Sequence, residues 1–321
     1  MRTLVLAAAL ALSGIADAAA QLYPSRPVTI VAPFPPGGPS DALARILSGP
    51  MAAALGQPVI IENVGGAGGT VGVGRVARAD PDGYTLLIGQ WSTQVVNPVT
   101  YTLSYDVTDF EAIALLANTP QLIIARTDFP AKDVQELIGW LKANPDKAQA
   151  ATVGAAGGAQ VAGMYFQQVT GTRFGFVPYR GGAPAMQDLI AGRVDFMFDQ
   201  AANAIGQVRA GTIKAYAVMT PERWHLAPDI PTIDEAGVSG LHIAYWHALW
   251  APKATAKDII VKLNAAVVSA LADPEVRQRF AQQGQDIWPR DQQSAQALAV
   301  FYKAETARWW PIIRAEHLKV E

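Results

Sequence analysis

The sequence predicts an α/β protein built as two lobes. Three observations carry this. Apolar runs of strand length alternate with amphipathic stretches of helix length from Val28 to Met219, the pattern of sheets covered by helices on both faces. The connections that follow these strands are rich in glycine and proline. Beyond residue 220 the alternation stops, and after one more apolar run, Leu241–Trp250, the chain is mainly helical. About four strands precede residue 126 and about four follow it before residue 220. The late helices are expected to return to the first half. This assigns residues 21–123 with 242–321 to lobe 1 and residues 124–241 to lobe 2. Two chain crossings, near 120–128 and 230–247, then form a hinge. Each lobe is expected to hold a mainly parallel sheet.

Val28–Ala32 reads as the first strand, followed by the stiff turn Pro33–Pro39. Ser40 and Asp41 open a helix with Leu43, Ile46 and Leu47 at helical spacing, and Pro50 is expected to interrupt or kink it. Val59–Ile61 is a strand, then come the glycine-rich Gly65–Gly74 and a helix around Val71–Ala79. Asp80–Gly83 has turn chemistry. Tyr84–Ile88 and Gln121–Ala125 read as buried strands, and Lys132–Ala143 as an amphipathic helix stopped before Pro145. Strand, loop and helix then recur three times: Ala150–Val153 with a helix from about Ala159, Phe174–Pro178 with Ala183–Ala191, and Val194–Phe198 with Ala202–Ala210. Ile213–Met219 is a further strand. Ala256–Leu271, Pro274–Gln283 and Gln292–Ala315 complete the chain as helices.

Composition narrows the function classes. Half of the 321 residues are hydrophobic and 16% are charged, which supports substantial cores rather than a disordered chain. Lys plus Arg number 25 against 27 Asp plus Glu, so no basic excess exists to hold a nucleic-acid backbone. The absence of cysteine removes disulfides, thiol catalysis and cysteine–metal sites, and four histidines leave little for a metal centre. At the N-terminus, Arg2, the apolar run Leu4–Leu12 and Ala18–Ala20 before Gln21 have the layout of a secretory signal peptide over residues 1–20. An exported, periplasmic protein is the expectation.

The candidate site lies where strand ends meet helix starts, since ligands of open α/β sheets bind beyond the carboxyl ends of the strands. Four loops qualify: Pro33–Asp41, Gln90–Thr93, Gly154–Gly158 and Tyr179–Gly182. Helix N-termini carry free N–H groups and partial positive charge, so they attract carboxylate or phosphate. Ser40 caps a helix or donates to an anion, and Trp91, Ser92 and Thr93 offer donors and an aromatic face. Any one such loop alone is ordinary connection chemistry, but four across two lobes weigh more. A helix-end contact is worth roughly 0.3–2 kcal/mol. Micromolar binding needs about −8 kcal/mol. One loop falls short; a clamp of two lobes does not.

Enzymatic motifs are incomplete. Gly66-Ala67-Gly68 and Gly72-Val73-Gly74 are fragments of a dinucleotide fingerprint without its spacing or its acidic partner near Gln94. Gly38–Ala42 lacks the last glycine of a nucleophile elbow. His242 and His247 fall on opposite faces of a strand, and His225 reads as surface. An Asp41–Asp199 carboxylate pair is conceivable for acid–base work, but Asp41 reads better as a helix-start charge and Asp199 as a strand-end cap. Phe301, Trp309 and Trp310 read as packing. No cofactor, no metal and no catalysis are expected.

PVTIVAPFPPGGPSDALAR (27–45), IENVGGAGGTVG (61–72) and DPDGYTLLIG (80–89) resemble the Bug/TctC family, the extracytoplasmic solute-binding proteins of tripartite tricarboxylate transporters. The resemblance continues through NPVTYTLSYDVTDF (97–110), FVPYRGGAPAMQDLIAGRVDFMFD (176–199), DIPTIDEAG (229–237) and Glu305–Trp310, and covers essentially the whole chain after the leader. It implies a two-lobe periplasmic binding protein fold of type II and a small carboxylate in the interlobe cleft, held partly through water. The implied ligand groups are Phe34, Gly37, Gly38, Ser40 and Asp41 in lobe 1, and Gly154–Gly158 (with Ala155, Gly157 and Gly158), Tyr179, Gly181 and Asp199 in lobe 2. The chain departs from the family pattern in four places. Gly157 stands where Ser is usual and Gln160 where His is usual. Arg180 stands where Lys is common, and its planar fork either grips a carboxylate bidentately or simply lies on the surface. Trp91 stands where smaller residues are common and offers a stacking face for an aromatic acid or aromatic dicarboxylate. Implied partners are the large and small membrane subunits of such a transporter, with the protein itself a monomer. A sensor presenting its closed form to a membrane kinase, and an exported hydrolase or isomerase, are the competing classes.

Overall fold

The structure is a computed structural model and describes residues 23–315, so the leader segment lies outside the described residues. The strands are β1 (Val28–Ala32), β2 (Val59–Asn63), β3 (Thr85–Gln90), β4 (Phe110–Arg126), β5 (Gln149–Val153), β6 (Gly175–Tyr179), β7 (Phe196–Gln200), β8 (Ile213–Val218), β9 (Ala244–Pro252) and β10 (Asp286–Ile287). The helices are α1 (Pro39–Leu55), α2 (Thr70–Ala77), α3 (Asn97–Thr100), α4 (Val134–Ala143), α5 (Gly158–Thr170), α6 (Gly182–Ile190), α7 (Ala201–Arg209), α8 (Lys257–Ala272), α9 (Pro274–Gln282) and α10 (Ala295–Ala315).

The protein has a two-lobe fold organised around one long strand. The first half of β4, Phe110–Pro120, pairs with β9; the second half, Gln121–Ala125, pairs with β7. The partner change falls at Pro120, whose missing N–H suits a break in a ladder. On one side the order is β2-β1-β3-β9-β4, and on the other β4-β7-β5-β6, with β8 also on β4. The outer strands are parallel: β1 with β2 and β3, and β5 with β6 and β7. The antiparallel pairs are made by the two crossing strands, β4 and β9, together with the short β10.

The cores follow from the helix faces. Leu43, Ile46, Leu47 and Met51 of α1 form one apolar stripe and pack with Leu263 and Val267 of α8 against β1, β3 and β9. In the second lobe Met186 and Leu189 of α6 and Ala204 and Ile205 of α7 cover Ile124 and Met197. Pro50 does not break α1. The helix runs through it to Gly56, which ends it in a left-handed turn, because Leu47 and Met51 on either side are fully buried and hold both halves on the sheet. The turn at Gly83 needs glycine twice over: φ is +81°, and an added Cβ would strike Ile259 and Tyr23.

Two elements differ from expectation in ways that matter for the site. β3 runs to Gln90, and after Trp91 the five residues Ser92–Val96 form a buried π-helical turn rather than a loop. β7 starts two residues later than the apolar pattern suggests and includes Asp199 and Gln200. No helix among the described residues is long and apolar enough to cross a membrane.

Candidate ligand-binding site between the lobes

A cavity lies between the lobes, about 70 Å³ in enclosed volume and about 700 Å³ when the open space around it is included. The first lobe contributes Phe34, Pro35, Pro36, Gly38, Pro39 and Ser40 from the β1–α1 connection, Gln90 and Ser92 from the end of β3, and Tyr245 from the start of β9. The second contributes Gly158 and Ala159 at the start of α5, Gly181–Pro184 at the start of α6, and Phe198, Asp199, Gln200 and Asn203 at the β7–α7 junction.

Four helices therefore begin at this cavity, and their caps share one feature. The N-caps of α1, α5 and α6 are Gly38, Gly157 and Gly181, all extended and with no side chain to cap the helix; Gln200 of α7 does not cap with its side chain either. The first-turn N–H groups of a helix have no intrahelical partner. Glycine caps leave those donors open toward the cavity. At α7, Thr119 Oγ1 takes the Ala202 N–H at 3.3 Å. Elsewhere on the molecule, α4 and α9 are closed by Asp133 and Asp273, whose carboxylates accept first-turn N–H groups. The cavity is lined by four positive helix ends and by no Lys, Arg or His.

The lobes touch. Tyr101 of the first donates its hydroxyl proton to the Ala155 carbonyl of the second. Gln200 Nε2 donates to Gln90 Oε1 at 3.2 Å across the cleft, while Gln90 Nε2 donates to Ser92 Oγ. Gly154, at φ +76°, lies against Gly68, where a side chain on Gly154 would hold the lobes apart. Gly158 lies directly against Tyr245 and Trp91, with no room for a Cβ.

Of the residues singled out in the sequence, Phe34, Gly38, Ser40, Ser92, Gly158, Gly181 and Asp199 border the cavity. The others stand behind them. Asp41 shapes the proline loop: its Oδ2 accepts the Gly37 N–H at 3.0 Å and its Oδ1 accepts from Arg45 at 2.9 Å. Burial pushes this carboxyl up, but the Arg45 and Gly37 bonds outweigh that and hold it below the usual range. Asn63 donates to the Phe34 carbonyl and ties the same loop to β2. Gln160 Oε1 accepts the Ala156 N–H at 2.7 Å and fixes the loop before α5. At Gly157 an added Cβ would collide with the Val153 carbonyl, so the Ser usual in the family does not fit here. Tyr179 turns away to donate to Asp188 at 2.8 Å. Arg180 is exposed and outside the cavity, which corrects its assignment as a carboxylate grip.

Trp91 and Thr93 are the larger corrections. Both are fully buried. The π-helical turn that follows Trp91 rotates its indole into the core, where it packs edge-on against Tyr245 (5.3 Å between ring centroids) and Trp309 (5.0 Å). It presents no stacking face to the cavity. Thr93 pins the turn through Gln90, accepting its N–H and donating to its carbonyl, each at 3.0 Å. Sequence reasoning missed Tyr245, Phe198, Gln200 and Asn203. The strand-end, helix-start rule reaches the β7–α7 residues once the boundary of β7 is moved by two. Tyr245 comes from a crossing strand and has no local signal.

Asp199 is the charged-type side chain of the cavity. It is 6% exposed, and burial pushes its carboxyl up to about 7, against the pull of hydrogen bonds from Asn203 Nδ2 and the Gln200 N–H. Burial also raises Tyr245, with the Asp199 charge adding to it. Among the described residues no cluster of three His, Asp or Glu stands ready for a metal.

Two α/β lobes joined by crossing strands around a cavity of helix N-termini are the architecture of a receptor for small solutes. The sequence profile of the tripartite tricarboxylate transporter family receptor matches residues 43–318, and the chain belongs to that family. It is 40% identical over 292 residues to the UPF0065 protein of the TAR-I ttuE-ttuC' intergenic region of Agrobacterium vitis, covering 91% of this chain and 84% of that one. Two solved structures are each 38% identical to it with a TM-score of 0.87. One is the periplasmic binding protein BugD, covering 93% of this chain and 100% of that one. The other is MatC from Rhodopseudomonas palustris with bound malate, covering 91% of this chain and 100% of that one.

Proposed function

We propose that this protein captures a small aliphatic carboxylate in the periplasm and delivers it, unaltered, to the membrane subunits of a tripartite tricarboxylate transporter. The observation that carries this reading is the set of glycine-capped helix starts that open on one cavity with no basic side chain. Free N–H donors at positive helix ends hold carboxylates without a counter-ion, and donors from both lobes favour the closed state when an anion bridges them. Each charge-assisted hydrogen bond contributes about 1.5–3 kcal/mol. Three or four of them give roughly 4.5–12 kcal/mol before association costs, set against the about −8 kcal/mol net that micromolar affinity needs, so donors from both lobes are required. Residues 21–123 with 242–321 and residues 124–241 move as the two bodies of this closure. Malate bound to MatC supports the ligand class, and the burial of Trp91 removes the argument for an aromatic acid.

A thermal-shift screen with confirmation by calorimetry tests the reading. An aliphatic mono-, di- or tricarboxylate at about 100 times its dissociation constant stabilises the protein by about 2.7 kcal/mol and raises its melting midpoint. Organic anions that leave the midpoint unmoved, or that are chemically converted during incubation, contradict it.

A further inference from the structure

The carboxyl of Asp199 presents a difficulty for an anion receptor. It lines the cavity and accepts one donor on each oxygen, which leaves each oxygen a further lone pair in a site that a ligand carboxylate must enter. Two ionised carboxylates in an enclosed site repel strongly, and such pairs resolve the conflict by sharing a proton. No cation resolves it here. Asn203 and Gln200 on its own connection are neutral, as are Gln90 from β3 and Leu122 opposite it on β4. Tyr245 from β9 is the other ionisable group of the lining, and it stays protonated. His247, two residues further along β9, is fully buried and driven down to about 3, so it carries no charge. Asp41 spends its carboxylate on Gly37 and Arg45, and Arg180 lies outside.

We propose that Asp199 keeps its proton in the closed cleft and donates it as a hydrogen bond to one carboxylate of a dicarboxylate ligand, so that capture above neutral pH takes one proton from solution. The pairing is an O–H···O⁻ contact: no covalent bond forms or breaks besides the protonation of Asp199 itself. A ligand ammonium is the opposite occupant, but it would sit among four positive helix ends. The ligand-free carboxyl, already shifted upward by burial, gives the sign. Below about pH 7 the acid form is present and binding needs no proton. Above it, each pH unit removes the competent form tenfold until the value in the complex is reached.

This inference rests on the carboxylate-receptor reading, and the experiment separates the two. Malonate, succinate, malate and adipate are titrated calorimetrically at pH 6, 8 and 9, in buffers of different ionisation enthalpy, into the wild type, Asp199→Asn and Asp199→Ala. For whichever diacid binds most tightly at pH 6, the dissociation constant of the wild type rises about tenfold from pH 8 to 9. Its apparent enthalpy at high pH tracks the buffer with a slope near one proton. Asp199→Asn, whose amide N–H replaces the acid O–H, binds with less than twofold change across the range. Asp199→Ala loses affinity at every pH, and melting curves of both variants check folding. The wild-type buffer dependence needs no variant at all. A diacid that binds with no pH dependence and no proton uptake overturns the role of Asp199 and leaves the receptor reading intact, as does an affinity that rises with pH. Failure of all four diacids to bind at pH 6 overturns the role of Asp199 toward a dicarboxylate, while the receptor reading falls only if mono- and tricarboxylates fail as well.

Discussion

The helix starts at the cleft and those on the outer faces solve the same problem in opposite ways. Every helix leaves its first N–H groups unsatisfied. At α4 and α9 the chain supplies Asp133 and Asp273 to accept them. At α1, α5 and α6 it supplies Gly38, Gly157 and Gly181, which accept nothing. The outer start of α8 also lacks a capping side chain, but Lys257 and Asp258 there are exposed and water serves. In the cleft Ser40 and Ala159 are buried, at 2% and 4% exposure, so a missing cap is a cost that something else must offset. On the carboxylate-receptor reading, the difference teaches that stability is withheld where the ligand completes the helix.

That comparison can be broken from either side. The largest effect is expected where the cleft wall has no slack. Gly158→Ala places a methyl group against Tyr245 and Trp91 and forces the start of α5 away from the first lobe. Carboxylate affinity should fall at least 100-fold by calorimetry, which is about 2.7 kcal/mol. Gly181→Asp comes next. Its backbone is extended and an added Cβ makes only ordinary contact with Pro35, so the variant fits. The new carboxylate caps α6 from within: the ligand-free protein should gain a few tenths of a kcal/mol in denaturant unfolding while ligand affinity drops about tenfold. Asp133→Ala is the converse. It should cost about 1 kcal/mol of stability and leave affinity unchanged, because α4 starts outside the cavity. The smallest effect belongs to Tyr101→Phe. It removes the hydroxyl that joins the lobes through Ala155, so affinity should weaken only several-fold, about 0.5–1.5 kcal/mol, with the loss appearing as a faster dissociation rate.

How far the sequence could be read divides along the same line between local and distant causes. The β1–α1 and β6–α6 connections were legible, because proline, glycine and a following apolar stripe mark a strand end and helix start within a dozen residues. The first half of β4 was not. Its segment Glu111–Ala117 is rich in Ala and Leu, which favour helix, and it becomes a strand through pairing with β9, more than a hundred residues away. Trp91 misled for a related reason: an aromatic just past a strand end looks available, and only the π-helical turn and the distant Trp309 turn it inward. Tyr245 is invisible locally, since its place in the cleft depends on where the second crossing strand enters the sheet.

Amide-resolved NMR during a malate titration tests the central claim most directly. The account predicts large shifts of the backbone N–H signals of Ser40, Ala159, Gly182 and Ala183, with Glu136 and Glu275, already bonded to Asp133 and Asp273, unmoved. Saturating malate that leaves the cleft amides where they were, or that moves both groups alike, would contradict it.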